Sequence, residues 1–146
     1  MSNKPLTNNE QVLKFVNDSI ALCEPEKVVW ITGEESQYEE LRQVALATGE
    51  MIKLNQEKLP GCYLHRSATN DVARVEGRTF ICCKNKEDAG PINNWMDPKE
   101  AYEKVGEIFK GSMKGKTMYV IPYSMGAVGS TFSKAGVEVT DSIYVV

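Results

Sequence analysis

The run Val28-Val29-Trp30-Ile31-Thr32 constrains the fold more than any other stretch. Five consecutive branched or aromatic residues, closed by Gly33, suit a strand buried on both faces and followed by a turn. Such a strand needs helices to cover it, and two amphipathic patterns flank it. Upstream, "TNNEQVLKFVNDSIALCEPEK" opens with a capping box from Thr7 to Glu10. It places Val12, Phe15, Val16, Ile20 and Cys23 on one helical face and stops at Pro25. Downstream, "SQYEELRQVALATG" offers Ser36 and Glu39 as a second box, with Leu41, Val44, Ala45 and Thr48 on one side and Gly49 at its end. With "MIKL" (51–54) next, strand, helix and strand read as a βαβ unit.

Beyond Asn55 the chain turns irregular through Pro60 and Gly61, and Arg78 to Cys83 is a strand candidate. A third helix has the clearest start, with Asp97 as N-cap, Pro98 as first helical residue, Glu100 as box partner, and Ala101, Val105, Ile108 and Phe109 as its apolar positions. Gly111 ends it. The strand "TMYVIP", the Gly- and Ser-rich "YSMGAVGSTFSKAG" and a final strand or pair of short strands in "VEVTDSIYVV" complete the chain. The expected fold is α/β, a mixed sheet flanked by helices, in one domain spanning 1–146, since 146 residues suffice for one core. The apolar end Ile143 to Val146 suggests a polypeptide cut at a domain edge, although a terminal strand tied into a sheet reads the same way.

Composition narrows the chemistry. A net charge of -3 gives no reason to expect nucleic acid or an anionic membrane as partner. The first ten residues lack the basic and apolar regions of a secretory signal, and no apolar run approaches the ~20 residues that span a bilayer, so a cytoplasmic location is expected. Cys23, Cys62, Cys82 and Cys83 lack CxxC spacing and read as buried free thiols. A single histidine, His65, excludes a histidine-rich metal site.

Three stretches are candidates for ligand chemistry. Gly115-Lys116-Thr117 is the end of a P-loop, but the first glycine of GxxxxGK[ST] would fall on Lys110, and Gly111 leaves the loop one residue short. A helix precedes and a strand follows, the reverse of the phosphate-cradling order, so a basic helix-to-strand turn is expected. In "SMGAVGS", Gly126 and Gly129 could either form an anion nest or simply turn the chain. In "RSATNDVARVEGRT", Ser67, Thr69 or Asn70 can cap a turn beginning at Asp71, with Arg66, Arg74 and Arg78 along it. An arginine fork matches a carboxylate bidentately and keeps its charge, so Arg74 could grip a small dicarboxylate or phosphorylated acid; pairing with Asp71 or Glu76 on the surface is the alternative.

At "DVARVEGRTFI", "NNWMDPKEAYEKV" and "MKGKTMYVIPYSMGAVGSTFSKAGVEVTDSIYVV" the chain resembles the N-terminal region of GTP-dependent phosphoenolpyruvate carboxykinase, over roughly residues 65–146. Residues 1–64 agree mainly in the order of helices and strands. The resemblance implies an enzyme that decarboxylates oxaloacetate and phosphorylates the enolate with GTP, giving phosphoenolpyruvate, CO2 and GDP, assisted by manganese or magnesium. It also implies that the P-loop, the catalytic cysteine and the Lys, His and Asp metal ligands belong to a later part of such enzymes. No catalytic residue, cofactor site or metal site is therefore expected within these residues, and the chain alone should not turn over. One residue carries over, Arg74, as the arginine of DVAR that contacts the carboxylate of oxaloacetate or phosphoenolpyruvate. The chain departs from many members at Ala127, where a proline follows "SMG", and in "STFSKAG", which lacks the usual proline. A different expectation is a stand-alone module for small acids, or a subunit docking on a separate catalytic chain.

Overall fold

Residues 4–69, 71 and 75–146 are described by the computed structural model. In chain order the elements are α1 (Glu10–Cys23), β1 (Lys27–Trp30), α2 (Glu35–Ala47), β2 (Ile52–Lys53), β3 (Tyr63–Leu64), β4 (Phe80–Ile81), β5 (Asn94–Trp95), α3 (Pro98–Phe109), β6 (Thr117–Met125) and β7 (Lys134–Thr140). They fall into two compact units, Met1–Arg66 with Gly111–Val146, and Ser67–Lys110.

The first unit is built on a mixed sheet of order β1-β6-β7. β1 runs parallel to β6, from Lys27 opposite Thr117 to Trp30 opposite Val120, and β6 pairs antiparallel with β7 from Tyr119 opposite Thr140 to Met125 opposite Lys134. Strand side chains alternate between faces, and the two faces have different covers. Trp30 and Val120 pack with Val16, Val12 and Ile20 of α1, whereas Val29, Ile31 and Tyr119 pack with Leu41 of α2. Met118, Val29 and Val120 are fully buried, each contributing about 1.5–3 kcal/mol by leaving water. Burial also raises the Tyr119 pKa. The α/β fold with a mixed sheet flanked by helices is thus present.

Among the described residues, one polar side chain sits in this core. Gln37 of α2 is only 5% exposed. Its Nε2 donates to Trp30 O at 2.8 Å, and its Oε1 accepts from Thr32 N at 2.7 Å and from the Thr32 hydroxyl at 3.1 Å. Ile31 N bonds to Val120 O on the β6 side, so Trp30 and Thr32 present their backbone groups to the opposite edge of the strand. A residue of a parallel neighbour would donate to one carbonyl and accept from the amide two residues on. The Gln37 carboxamide makes the same pair of bonds and closes this end of the β1 edge.

Several local expectations change. Asn9, not Thr7, caps α1: its Oδ1 accepts from Gln11 N at 3.0 Å and Val12 N at 3.1 Å, while Thr7 Oγ1 accepts from Asn9 N. Asparagine outranks threonine as a cap. The Ser36–Glu39 box does not form, because α2 already starts at Glu35 and Glu39 engages Gln43 and Arg42. Those partners, Gln43 foremost, lower the Glu39 pKa. Asp97 caps α3 as expected, accepting from Lys99 N at 2.9 Å, with Pro98 first in the helix. No described α3 residue is buried, and Val105, Ile108 and Phe109 are exposed.

The βαβ expectation is overturned at its last strand. β2 pairs antiparallel with β3 in a separate ribbon, and the parallel partner of β1 is β6. Ile52 and Lys53 are both exposed, so this stretch lacks the two buried faces an inner parallel strand requires. The strand expected at 78–83 contracts to Phe80 and Ile81, after a 3-10 turn over Glu76–Arg78, and pairs parallel with β5. All four cysteines are free, but only Cys23 is buried; Cys83 is half-buried, and Cys62 and Cys82 are exposed. The short β4 leaves Phe80 and Ile81 exposed as well, so no core forms around the thiols that follow it. Ile143 to Val146 form a turn rather than a strand, with Ile143 and Val146 packed on the α2-side cluster and Tyr144 stacked on His65 at 4.5 Å.

A close approach in the β6–β7 hairpin explains one glycine. Tyr123 lies opposite Gly136, and a Cβ at 136 would come within 2.4 Å of the Tyr123 ring. Gly136→Ala is expected to destabilise the protein by about 1–3 kcal/mol through overpacking. Thermal unfolding of Gly136→Ala in wild-type and Tyr123→Ala backgrounds checks this: the penalty should largely vanish when the ring is gone, and an equal penalty in both would refute the steric cause.

Candidate functional site

Four amides of the turn containing Gly115-Lys116-Thr117 bond to protein carbonyls. Gly111 N donates to Leu22 O at 2.8 Å, Met113 N to Cys23 O at 3.0 Å, Lys114 N to Gly111 O at 3.2 Å and Lys116 N to Met113 O at 2.9 Å. The lysines are engaged as well, Lys114 with Glu24 at 3.0 Å and Lys116 with Asp141 at 2.6 Å. Both pairs are solvent-exposed, so each adds little stability. The segment ties the end of α1 to the start of β6, as a basic turn.

The "SMGAVGS" stretch closes the hairpin between β6 and β7. Gly126 and Gly129 take φ of 102° and 85°, and the loop is held by Ser130 N to Ala127 O at 3.1 Å, Ser133 N to Ser130 O at 3.2 Å and Ser124 Oγ to Gly126 O at 3.1 Å. Val128 and Phe132 project outward, each 91% exposed. This geometry meets the chain-turning role of the glycines.

Arg74, the substrate-binding candidate, and Asn70 lie outside the described residues. Described residues on both sides of Arg74 make local hydrogen bonds. On its N-terminal side Asp71 N donates to Ala68 O at 2.9 Å. On its C-terminal side the Glu76–Arg78 turn is closed by Arg78 N to Val75 O at 3.0 Å and Thr79 N to Glu76 O at 3.2 Å, and the Thr79 hydroxyl donates to Val75 O at 2.7 Å. Arg66 and Arg78, the other arginines of the cluster, are exposed.

A residue outside the sequence argument holds the Glu76–Arg78 turn. Asn94 of β5 donates through Nδ2 to Glu76 O at 2.8 Å and to Thr79 O at 3.2 Å, clasping the turn to the β4–β5 pair. A polar cavity of about 540 Å³ opens beside it, lined by Glu76, Gly77, Thr79, Ile81, Asn93 and Asn94, among others. The only sequence signal for Asn94 is its place in "NNW" ahead of the α3 cap. An amide's partners, eighteen and fifteen residues away, cannot be read from spacing. Among the described residues no group of three His, Cys, Asp or Glu side chains is placed to hold a metal ion, and no helix is long and apolar enough to cross a membrane.

Comparison with known proteins bears on this arrangement. The family model for the phosphoenolpyruvate carboxykinase N-terminal domain matches residues 14–146. A protein of Anaeromyxobacter sp. (strain K) named phosphoenolpyruvate carboxykinase [GTP] is 53% identical over 139 residues, covering 95% of this chain and 23% of the relative. Proteins of the same name from Corynebacterium efficiens and Corynebacterium kroppenstedtii are 46% and 48% identical over 140 residues, covering 96% of this chain and 23% and 22% of those relatives. The chain therefore spans less than a quarter of the length of these relatives.

Proposed function

Because the chain belongs to the phosphoenolpyruvate carboxykinase N-terminal domain family, we propose that residues 1–146 serve as one substrate-binding domain of a GTP-dependent carboxykinase, converting oxaloacetate and GTP to phosphoenolpyruvate, GDP and CO2 in the cytoplasm. The match over residues 14–146, which includes the DVAR stretch, carries this reading. Arg74 holds the carboxylate of oxaloacetate or phosphoenolpyruvate through the planar fork of its guanidinium.

In this reading neither the nucleotide nor the divalent metal is held by this domain. Four amides of the Gly111–Lys116 turn are engaged with protein carbonyls, and among the described residues no group of three His, Cys, Asp or Glu side chains is placed to hold a metal ion. GTP and the manganese or magnesium ion are assigned to the remainder of the enzyme, which is the partner of this domain. Phosphoryl transfer depends on positioning and on cationic neutralisation of phosphate oxygens, so these residues alone should show no oxaloacetate-dependent GTP consumption.

The test is a graft. Residues 14–146 replace the matching stretch of the Anaeromyxobacter relative, and Arg74→Ala is compared with the unmutated graft. Losing a charge-assisted bidentate contact of about 1.5–3 kcal/mol should raise the KM for oxaloacetate on the order of tenfold to a hundredfold, with the KM for GTP little changed. An active graft in which Arg74→Ala alters neither KM nor kcat removes the arginine's role. A soluble graft without activity, beside an active parent, removes the reading of this chain as an exchangeable carboxykinase domain.

A further inference from the structure

Cys82 and Cys83 take no part in the carboxykinase reading, yet they place two free thiols on adjacent residues at the end of β4. Cys82 is exposed and Cys83 half-buried. Cys83 Sγ donates to Asn85 O at 3.2 Å, and its carbonyl accepts from Trp95 Nε1 at 2.9 Å. The other two thiols have no cysteine beside them in sequence: Cys62 is exposed with Sγ 3.7 Å from Pro60 O, and Cys23 is buried.

Neighbouring Cα atoms are about 3.8 Å apart, below the ~4.4 Å at which ordinary disulfides begin. A direct S–S bond between these residues is strained and readily reduced. Inserting one soft atom between the sulfurs widens the closure, and thiolates favour soft partners. We infer that Cys82 and Cys83 form a bidentate site for a trivalent arsenical or another dithiol-bridging soft electrophile. In the step, an arsenoxide R–As=O meets two thiols. Two S–H bonds break, two As–S bonds form, the arsenic stays trivalent, and the oxygen leaves as water with both protons. Closing the ring places the arsenic on the residue whose carbonyl accepts from the Trp95 indole, so the indole's surroundings change.

Phenylarsine oxide is the probe, with the intact 146-residue chain and native mass spectrometry as the first readout. One phenylarsenic group should bind per chain, with two thiols lost to titration, an altered tryptophan emission, and release by a dithiol but not by a monothiol. Binding should persist in Cys62→Ser and weaken about a hundredfold or more in Cys82→Ser and in Cys83→Ser, because each loses the intramolecular second attachment. Serine at 83 can still donate to Asn85 O, and Cys83→Ala, which cannot, serves as an independent check on the same sulfur. Full binding retained in Cys82→Ser or in Cys83→Ser, binding lost in Cys62→Ser, or release from the wild type by a monothiol would overturn the assignment.

Discussion

Trp30→Ala should remove about 3–5 kcal/mol of stability, the range for deleting a large aromatic side chain from a core. Trp30 is 3% exposed and packs with Val16 and Val120 between α1 and the sheet. Its loss leaves a void that those branched neighbours cannot fill without moving a strand. A domain of this size is stable by about 5–15 kcal/mol, so the variant gives up a large share of that margin. Urea unfolding followed by far-UV circular dichroism reads the effect as a lower midpoint. A loss below about 1 kcal/mol would mean that the groove above Trp30, lined by Leu6, Phe15 and Tyr123 among others, collapses onto the vacancy.

Gln37→Ala acts through unpaired backbone instead of lost volume. It strands Trp30 O in a buried site, at about 1–3 kcal/mol, and Thr32 N in a half-buried one at less, so a total loss of about 2–4 kcal/mol is expected. Gln37→Glu keeps the shape and separates the two bonds. A carboxylate accepts from Thr32 N but cannot donate to Trp30 O, whereas the protonated acid can do both. Burial raises the folded-state pKa of that glutamate above its unfolded value near 4.3. The favourable protonated form therefore contributes fully below pH ~4, and that contribution is lost as pH rises through the folded pKa. Unfolding midpoints from pH 4 to 8 should fall for Gln37→Glu relative to wild type. A flat difference would show that donation to Trp30 O carries no weight.

The parts of the fold legible in the sequence were those set by local chemistry. β1 and β6 follow from their apolar runs, Val28 to Ile31 and Met118 to Ile121, and α3 follows from Asp97-Pro98 at its start. Pairing partners were not legible. The strand parallel to β1 is β6 rather than 51–54, because the choice rests on which run can bury two faces, and Ile52 and Lys53 do not. Burial misled in the same way at "FICC": an apolar string in a two-residue strand gains no cover, so Cys82 stays at the surface. At the candidate site the arginine stretch could be picked out by its residue types, but the Asn94 clasp could not, since it depends on β5 lying beside β4.

The meeting of Tyr123 with Gly136 also bears on how this sequence can vary. The ring occupies the volume that any side chain at 136 would need, so the two positions form a single unit of substitution. A lineage that keeps an aromatic at 123 is held to glycine at 136, and one that first trims 123 becomes free to place a branched residue opposite it. The order of the two changes is then fixed by sterics, and an ancestral glycine at 136 should outlast the aromatic that requires it.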